Sequence, residues 1–421
     1  MPLQPNTEIS VTIEKPVAGG RMLARHDGQI VLVAGAIPGE RVRVRVDRVS
    51  THLAFADTVA VLDPSSDRRA IDADWACGGS FYAHVSYERQ LRLKSDVILD
   101  AFARIAKMPL PAPVPVMASH EEGYRMRARL HVKNGVLGFF REGTHELCDA
   151  APTRQLLPDT IEAFRRLQDV LPLTHVTSCE LSENAAATER AILLELAPSQ
   201  TAPPHVEPVE GISGLLFVDY QRGPLTVSYG SPYVTDRIGG SAASIALTHH
   251  VESFFQGNRY LLSGLVGRVM AQVLQGTVTD LYAGVGLFAI PLAAQGHRQI
   301  VAIEGDLSSA RDLDANAAPY GPAIHVRHLS VESYLQRRDV QRPDTLVLDP
   351  PRTGLSREAM SGILGLKVPR VVYVSCDPAT LARDVRRFSE VGYRLDHIEA
   401  FDLFPNTAHV ETLAVLTRES R

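Results

Sequence analysis

Cys376 closes an apolar, β-branched run, VVYVSC, and is followed at once by Asp377-Pro378. A lone thiol in such a run reads either as a small buried hydrophobe or as a nucleophile at a strand tip, where open α/β sheets keep their ligand crevices. The tip position favours the nucleophile. Cys77, Cys148 and Cys179 lack that setting and read as packing residues. Glu411 opens the last apolar run, HVETLAVLTR, two residues after His409. It reads as a surface ion-pair partner or as a carboxylate base reaching the same crevice.

Three further segments describe a ligand site. In DLYAGVGLF, a strand runs through Asp280 and Tyr282 into a turn with Gly284 and Gly286, then a helix. Glycines there let the backbone approach a nucleotide-like ligand. Glu304, twenty residues past Gly284, ends the next strand in AIEGD. A carboxylate so placed can accept both ribose hydroxyls. With no third glycine to cradle a pyrophosphate, the pair favours S-adenosylmethionine over a dinucleotide. Asp349, in LVLDPPR, precedes two prolines that cannot continue a ladder and fix a rigid strand exit.

A thiol, a base and an adenosyl pocket suit one reaction. C5 of uracil is a poor nucleophile until a thiolate adds at C6, and the C5 proton must then be removed before the thiol can leave. The base must also leave its stack to be reached. Cytosine-5 chemistry is the nearest alternative, but it is usually marked by proline before the cysteine, where Ser375 stands here. A non-catalytic RNA-binding protein and a small-molecule methyltransferase are the remaining readings.

The elements that must hold these residues fall into three regions. The 421 residues allow two to four domains. Residues 6–62 are short β-branched runs split by turns, as in a small barrel. Within it Arg41, Arg43 and Arg45 alternate with valines, giving one apolar and one basic sheet face. After a linker, DPSSDRR, residues 87–107 have helical spacing and the proline-rich 108–117 ends that helix. A middle α+β region follows: alternating Arg125, Arg127 and Arg129 suggest a second basic face, with a helix near 158–171, strands at 176–181, 189–197 and 214–220, and a loop at 198–208. From about 250, strands at 277–284, 299–306, 323–330, 344–351 and 370–378 alternate with helices, and 409–418 is a last strand, as in a doubly wound parallel sheet.

The net charge of −5 does not advertise nucleic-acid binding, but it is uneven. Residues 1–134 carry 18 Lys and Arg against 15 Asp and Glu, and the remainder 25 against 33. Local basic faces, not overall charge, are what phosphates need. Four scattered cysteines exclude a secreted disulfide scaffold, the N-terminus has no secretory pattern, and no run of 18 apolar residues spans a membrane. A reducing, cytoplasmic setting and a monomer are the expectation.

SFFQGN (253–258), DLYAGVGLF, VAIEGD, LVLDPPRTGL, YVSCDPATLARD and DLFPNTAHVE occur in an order that resembles the RNA 5-methyluridine methyltransferase family. ARHDGQIVLVAGAIPGERVRVRV resembles the TRAM RNA-binding barrel, and YRMRARLHV with GFFREGTHELCD resembles the family's central RNA-binding domain. The resemblance implies a multidomain chain. A TRAM-like, OB-like all-β barrel would span 1–63, an α+β central domain 64–87 and 118–250, and an α/β Rossmann-like methyltransferase domain 88–117 and 251–421. It implies Cys376 as nucleophile, Glu411 as base, and Gln256, Tyr282, Gly284, Gly286, Glu304 and Asp349 around S-adenosylmethionine. RNA is the expected partner, ribosomal before transfer RNA. Many TRAM-bearing relatives hold an iron–sulfur cluster on a C-x5-C-G-G-C frame plus a distant cysteine. Here the frame reads Ile71, then Cys77-Gly78-Gly79-Ser80, with Cys148 near the fourth position. Two thiolates are too few for a four-cysteine cluster, so no cluster is expected, and Cys77 and Cys148 are remnants of that frame.

Overall fold

The computed structural model describes residues 3–51, 53–71, 74–197, 203–219, 223, 225–239 and 244–419. Residues 1–2, the start of the 198–208 loop and the last residue of the 214–220 strand lie outside them.

Five strands, β1 (Glu8–Pro16), β2 (Met22–His26), β3 (Gln29–Ala34), β4 (Arg41–Val49) and β5 (Leu53–Asp63), close into a barrel in the order β1-β2-β3-β5-β4. The alternation in β4 works as the pleat requires. Val42, Val44 and Val46 are fully buried, while Arg41, Arg43 and Arg45 are exposed. Each valine so buried contributes roughly 1.5–3 kcal/mol over leaving it in water.

Helix α1 (Tyr87–Ala101) continues into a short π-helical turn over Phe102–Ala106, and Lys107 ends it in the left-handed conformation. Part of the proline-rich segment forms β6 (Val116–Met117), which joins the far edge of the C-terminal sheet.

The middle of the chain builds β7 (Arg127–Lys133), β8 (Val136–Phe140), β9 (Leu147–Cys148), α2 (Pro158–Val170), β10 (Val176–Glu183), β11 (Arg190–Leu196), β12 (Gly214–Val218) and β13 (Thr226–Gly230). The strands form one sheet, β13-β12-β11-β10-β7-β8-β9, covered by α2 through Ala163, Phe164 and Leu167. A separate hairpin, β14 (Tyr233–Ile238) and β15 (Ile245–His250), was not expected from the sequence, nor was β13.

Cys77 and Cys148 are not a pair of spare thiols. They are joined in a disulfide with the Cα atoms 5.8 Å apart. Gly78 N donates to Phe140 O, which brings the Cys-Gly-Gly loop against β8 and carries Cys77 to β9. Among the described residues, no group of three or more His, Cys, Asp and Glu side chains is placed to hold a metal ion.

The C-terminal part supplies α3 (Leu262–Met270), β16 (Val278–Leu281), α4 (Ala289–Ala294), β17 (Ile300–Glu304), α5 (Leu307–Ala317), β18 (Ile324–His328), α6 (Val331–Leu335), β19 (Thr345–Leu348), α7 (Arg357–Leu366), β20 (Arg370–Ser375), α8 (Pro378–Ser389), β21 (Tyr393–Phe401) and β22 (Glu411–Arg418). The sheet runs β18-β17-β16-β19-β20-β22-β21-β6. Its first five strands are parallel and β22 is antiparallel to its neighbours. The strand order reverses direction at β16, so the carboxyl ends of β16, β17 and β19 flank a topological switch point, where such sheets bind ligands. Apolar clusters lie on both faces, which is why these strands read as continuous hydrophobic runs.

Candidate active site

Strand ends do the positioning. β16 ends at Leu281, and Tyr282 then takes a left-handed φ of 62° that turns the chain out of the sheet. Gly284 and Gly286 follow at φ 55° and 97°. Their roles differ. A side chain on Gly284 would meet nothing within 4 Å, since it faces open space, whereas one on Gly286 would stand 2.6 Å from Ile290. Gly284 therefore lines the cavity, and Gly286 serves the packing of the turn against α4.

The cavity measures about 710 Å³ and is shared by the loops after β16, β17, β19 and β20. Glu304 accepts hydrogen bonds from Gly284 N and Asp306 N, both at 2.7 Å, which fix its carboxylate at the cavity wall. Gln256 Nε2 lies 3.5 Å from Asp349 Oδ2. Burial pushes the Asp349 carboxyl up to about 7. Asp280 is buried with Oδ2 accepting from Ala289 N while Oδ1 has no partner. Burial, then the neighbouring Asp349, hold it up at about 8.

Cys376 and Glu411 meet through the sheet register. β20 and β22 pair Ser375 with Thr412, so the next residue of one strand and the previous residue of the other come side by side. Both line the cavity. Cys376 is a free, half-buried thiol, pushed up to about 11 by burial and then by the Glu411 carboxylate, with Arg352 opposing. Glu411 is buried, its Oε1 unpartnered, and its pKa is raised well above the usual value by burial and Asp349. His409 is held down to about 4 by burial and by nearby Arg352, so it is neutral at pH 7.

The arginines fall in different places. Arg125 and Arg127 line the cavity. Arg127 donates to Val251 O at 2.8 Å and Ser182 Oγ at 3.2 Å, and Arg125 donates to Gln155 Oε1 at 2.6 Å. Only Arg129 faces solvent, paired with Glu195 at 3.0 Å. The expected basic face at 125–129 is thus mostly an inner wall, because the chain runs along the cavity as it enters β7.

Among the wall residues not picked out as site residues from sequence are Phe254, Phe404 and Arg352. Phe254 is 67% exposed while Phe255 is 3% exposed and stacked on His249 at 4.2 Å. The doubled aromatic before Gln256 was the available signal.

The family described as tRNA (uracil-5-)-methyltransferase matches residues 226–419, and the TRAM domain matches residues 2–59. A 23S rRNA (uracil(1939)-C(5))-methyltransferase from Halomonas elongata is 31% identical over 94% of this chain and 87% of its own. The chain belongs to the RNA uracil-C5 methyltransferase family. An uncharacterised RNA methyltransferase from Thermosynechococcus vestitus is also 31% identical, over 98% of this chain and 99% of that one. The crystal structure of Pyrococcus abyssi tRNA (uracil-54, C5)-methyltransferase with S-adenosyl-L-homocysteine superposes with a TM-score of 0.77, at 24% identity, covering 97% of this chain and 100% of that one, and shows the shared fold. The protein is an S-adenosylmethionine-dependent RNA methyltransferase with an N-terminal TRAM barrel. A cavity lined by Gln256, Glu304 and Asp349, with Gly284 leaving space open, fits S-adenosylmethionine. No helix among the described residues is long and apolar enough to cross a membrane.

Proposed function

We propose that the enzyme methylates C5 of a uridine in 23S ribosomal RNA, with Cys376 as nucleophile and Glu411 as base. The observation that carries this reading is the side-by-side placement of Cys376 and Glu411 on paired strands, both opening on one cavity.

The Cys376 thiolate adds to C6 of the flipped uracil, and electrons move onto C5 and O4. Gln256, Tyr282, Gly284, Glu304 and Asp349 would hold S-adenosylmethionine, which would supply the electrophilic methyl to C5 and be left as S-adenosylhomocysteine. The Glu411 carboxylate then removes the C5 proton, the C5–C6 double bond re-forms, and the Cys376 sulfur leaves. Burial raises the Glu411 carboxyl above its usual range, so that its ionised form takes a proton more readily. Phe254, at the cavity mouth, offers a stacking face for the extruded base.

The preference for ribosomal RNA rests on the higher identity to the Halomonas elongata enzyme than to the Pyrococcus abyssi one. We read the enzyme as a cytoplasmic monomer. Nucleoside mass spectrometry of fractionated RNA from cells lacking the gene tests the substrate. Loss of 5-methyluridine from 23S rRNA alone is expected. Loss from transfer RNA alone would reassign the substrate, and no loss anywhere would overturn the reading.

A further inference from the structure

The Glu411 side chain makes no hydrogen bond and no ion pair among the described residues, and its Oε1 is buried without a partner. Its position therefore depends on the backbone that carries it. On one side that backbone is β22. On the other it is the loop 402–410, which joins β21 to Glu411.

That loop is tied down by nearly every part of the molecule. Asp402 pairs with the fully buried Lys94 of α1, and Lys94 Nζ also donates to Phe404 O at 3.1 Å. Asn258 Nδ2 donates to Leu403 O at 3.0 Å, and Tyr124 OH donates to Pro405 O at 3.3 Å. On the barrel side, the glycine at position 20 packs so closely that a Cβ there would lie 2.9 Å from Ala408.

Asn406 adds four hydrogen bonds of its own to these ties. It holds a left-handed φ of 63°, which Asn tolerates better than most residues. Its Oδ1 accepts from Gln90 Nε2 at 2.9 Å and from Arg69 at 2.7 Å. Its N–H donates to Gln90 Oε1 at 2.9 Å, and its carbonyl accepts from Tyr82 N at 2.7 Å. Arg69 and Tyr82 belong to the segment between the barrel and α1, and Gln90 to α1 itself. One residue, through its side chain and its backbone, thus locks the loop before Glu411 to the part of the chain that leads in from the barrel.

We infer that Asn406 is a positioning residue for Glu411: by fixing the 402–410 loop to Gln90 and Arg69, it sets where the otherwise unheld carboxylate stands. This rests on the reading of Glu411 as the base. The step it governs is removal of the C5 proton, which comes after Cys376 has added and the methyl has been taken up. A misplaced carboxylate slows release without slowing the earlier steps.

Asn406→Gly tests this, because glycine keeps the left-handed backbone and removes only the side-chain bonds. Asn406→Asp is the conservative control, since both side-chain bonds seen at Oδ1 are accepted ones. Glu411→Gln is the reference. Each is assayed on RNA with a methyl-labelled donor, and denaturant-stable RNA–protein adduct is counted beside steady-state turnover, with thermal melts to verify folding. For Asn406→Gly, kcat should fall by about tenfold or more. Methyl incorporation in the first turnover should stay within about threefold, and labelled adduct should accumulate. Asn406→Asp should behave like wild type. Equal losses in the first turnover and in kcat, or unchanged kcat, would overturn the inference while leaving Glu411 as base, provided Glu411→Gln accumulates adduct. Failure of Glu411→Gln to accumulate adduct would overturn the base assignment, and this inference with it.

Discussion

Two segments with arginine at every second position, 41–45 and 125–129, look alike in sequence and differ in the folded molecule. Arg41, Arg43 and Arg45 stand on the outer face of a closed barrel, where Arg43 and Arg45 share Glu8 at 3.5 and 3.2 Å. Arg125 and Arg127 turn inward to the wall of the active site and spend their donors on Gln155, Val251 and Ser182. Burial pulls the Arg127 guanidinium down to about 10, which still leaves it charged at pH 7. Alternation tells which residues share a strand face. It does not tell whether that face meets water, a phosphate or the active site. The barrel arginines are suited to attraction at long range, and the crevice arginines to holding a geometry.

Substitution separates the two roles. Arg127→Ala strands the Val251 carbonyl and opens the crevice wall, so kcat/KM should fall by about 100-fold. Stability should drop by roughly 1–3 kcal/mol. Steady-state kinetics and thermal melts check both. Replacing Arg41, Arg43 and Arg45 together with alanine should raise KM for RNA by about tenfold and flatten the slope of log affinity against log salt by about 2. It should leave kcat and the melting temperature alone. A fall in kcat for the barrel triple, or none for Arg127→Ala, would erase the distinction.

A smaller effect sharpens it from the cavity side. Arg352 lowers the Cys376 thiol, whose pKa burial has pushed up to about 11. The thiolate is the reactive form, so activity should rise with pH through the neutral range. Arg352→Gln removes a favourable positive charge, raises the thiol pKa further and should lower the rate at pH 7 by about threefold, with recovery at higher pH. A profile that keeps its midpoint would argue that Arg352 does not act through the thiol.

The smallest effect concerns two carboxyl groups beside the crevice. Asp280 and Asp349, at about 8 and about 7, ionise more easily in the unfolded chain. Their contribution to stability is full below pH 4, falls as pH rises from there, and is lost once pH has passed through 7 to 8. Asp280→Asn should flatten that loss in urea titrations across this range.

The legible part of this protein is its strand tips. Asp349 before Pro-Pro, Cys376 before Asp-Pro and Tyr282 before Gly284 each carry the chemistry that ends a strand, so residue type and place were visible together. β21 was not legible. Its register shifts between Leu395 and His397, and that irregularity breaks the period-two pattern. The inward turn of Arg125 and Arg127 was hidden because it depends on where β7 docks, a tertiary fact. So was the disulfide, since two cysteines 71 residues apart say nothing of their distance in space. Asn406 reads as an ordinary turn residue until its four hydrogen bonds are seen.

The most direct measurement uses RNA whose target uridine is replaced by 5-fluorouridine. Glu411 cannot remove fluorine as it would a proton, so the enzyme should stop as a covalent adduct after methyl uptake. Digestion and mass spectrometry should find the methylated nucleotide on the peptide containing Cys376, and Cys376→Ala should give none. An adduct on another residue, or methylation by Cys376→Ala at the wild-type rate, would contradict the account.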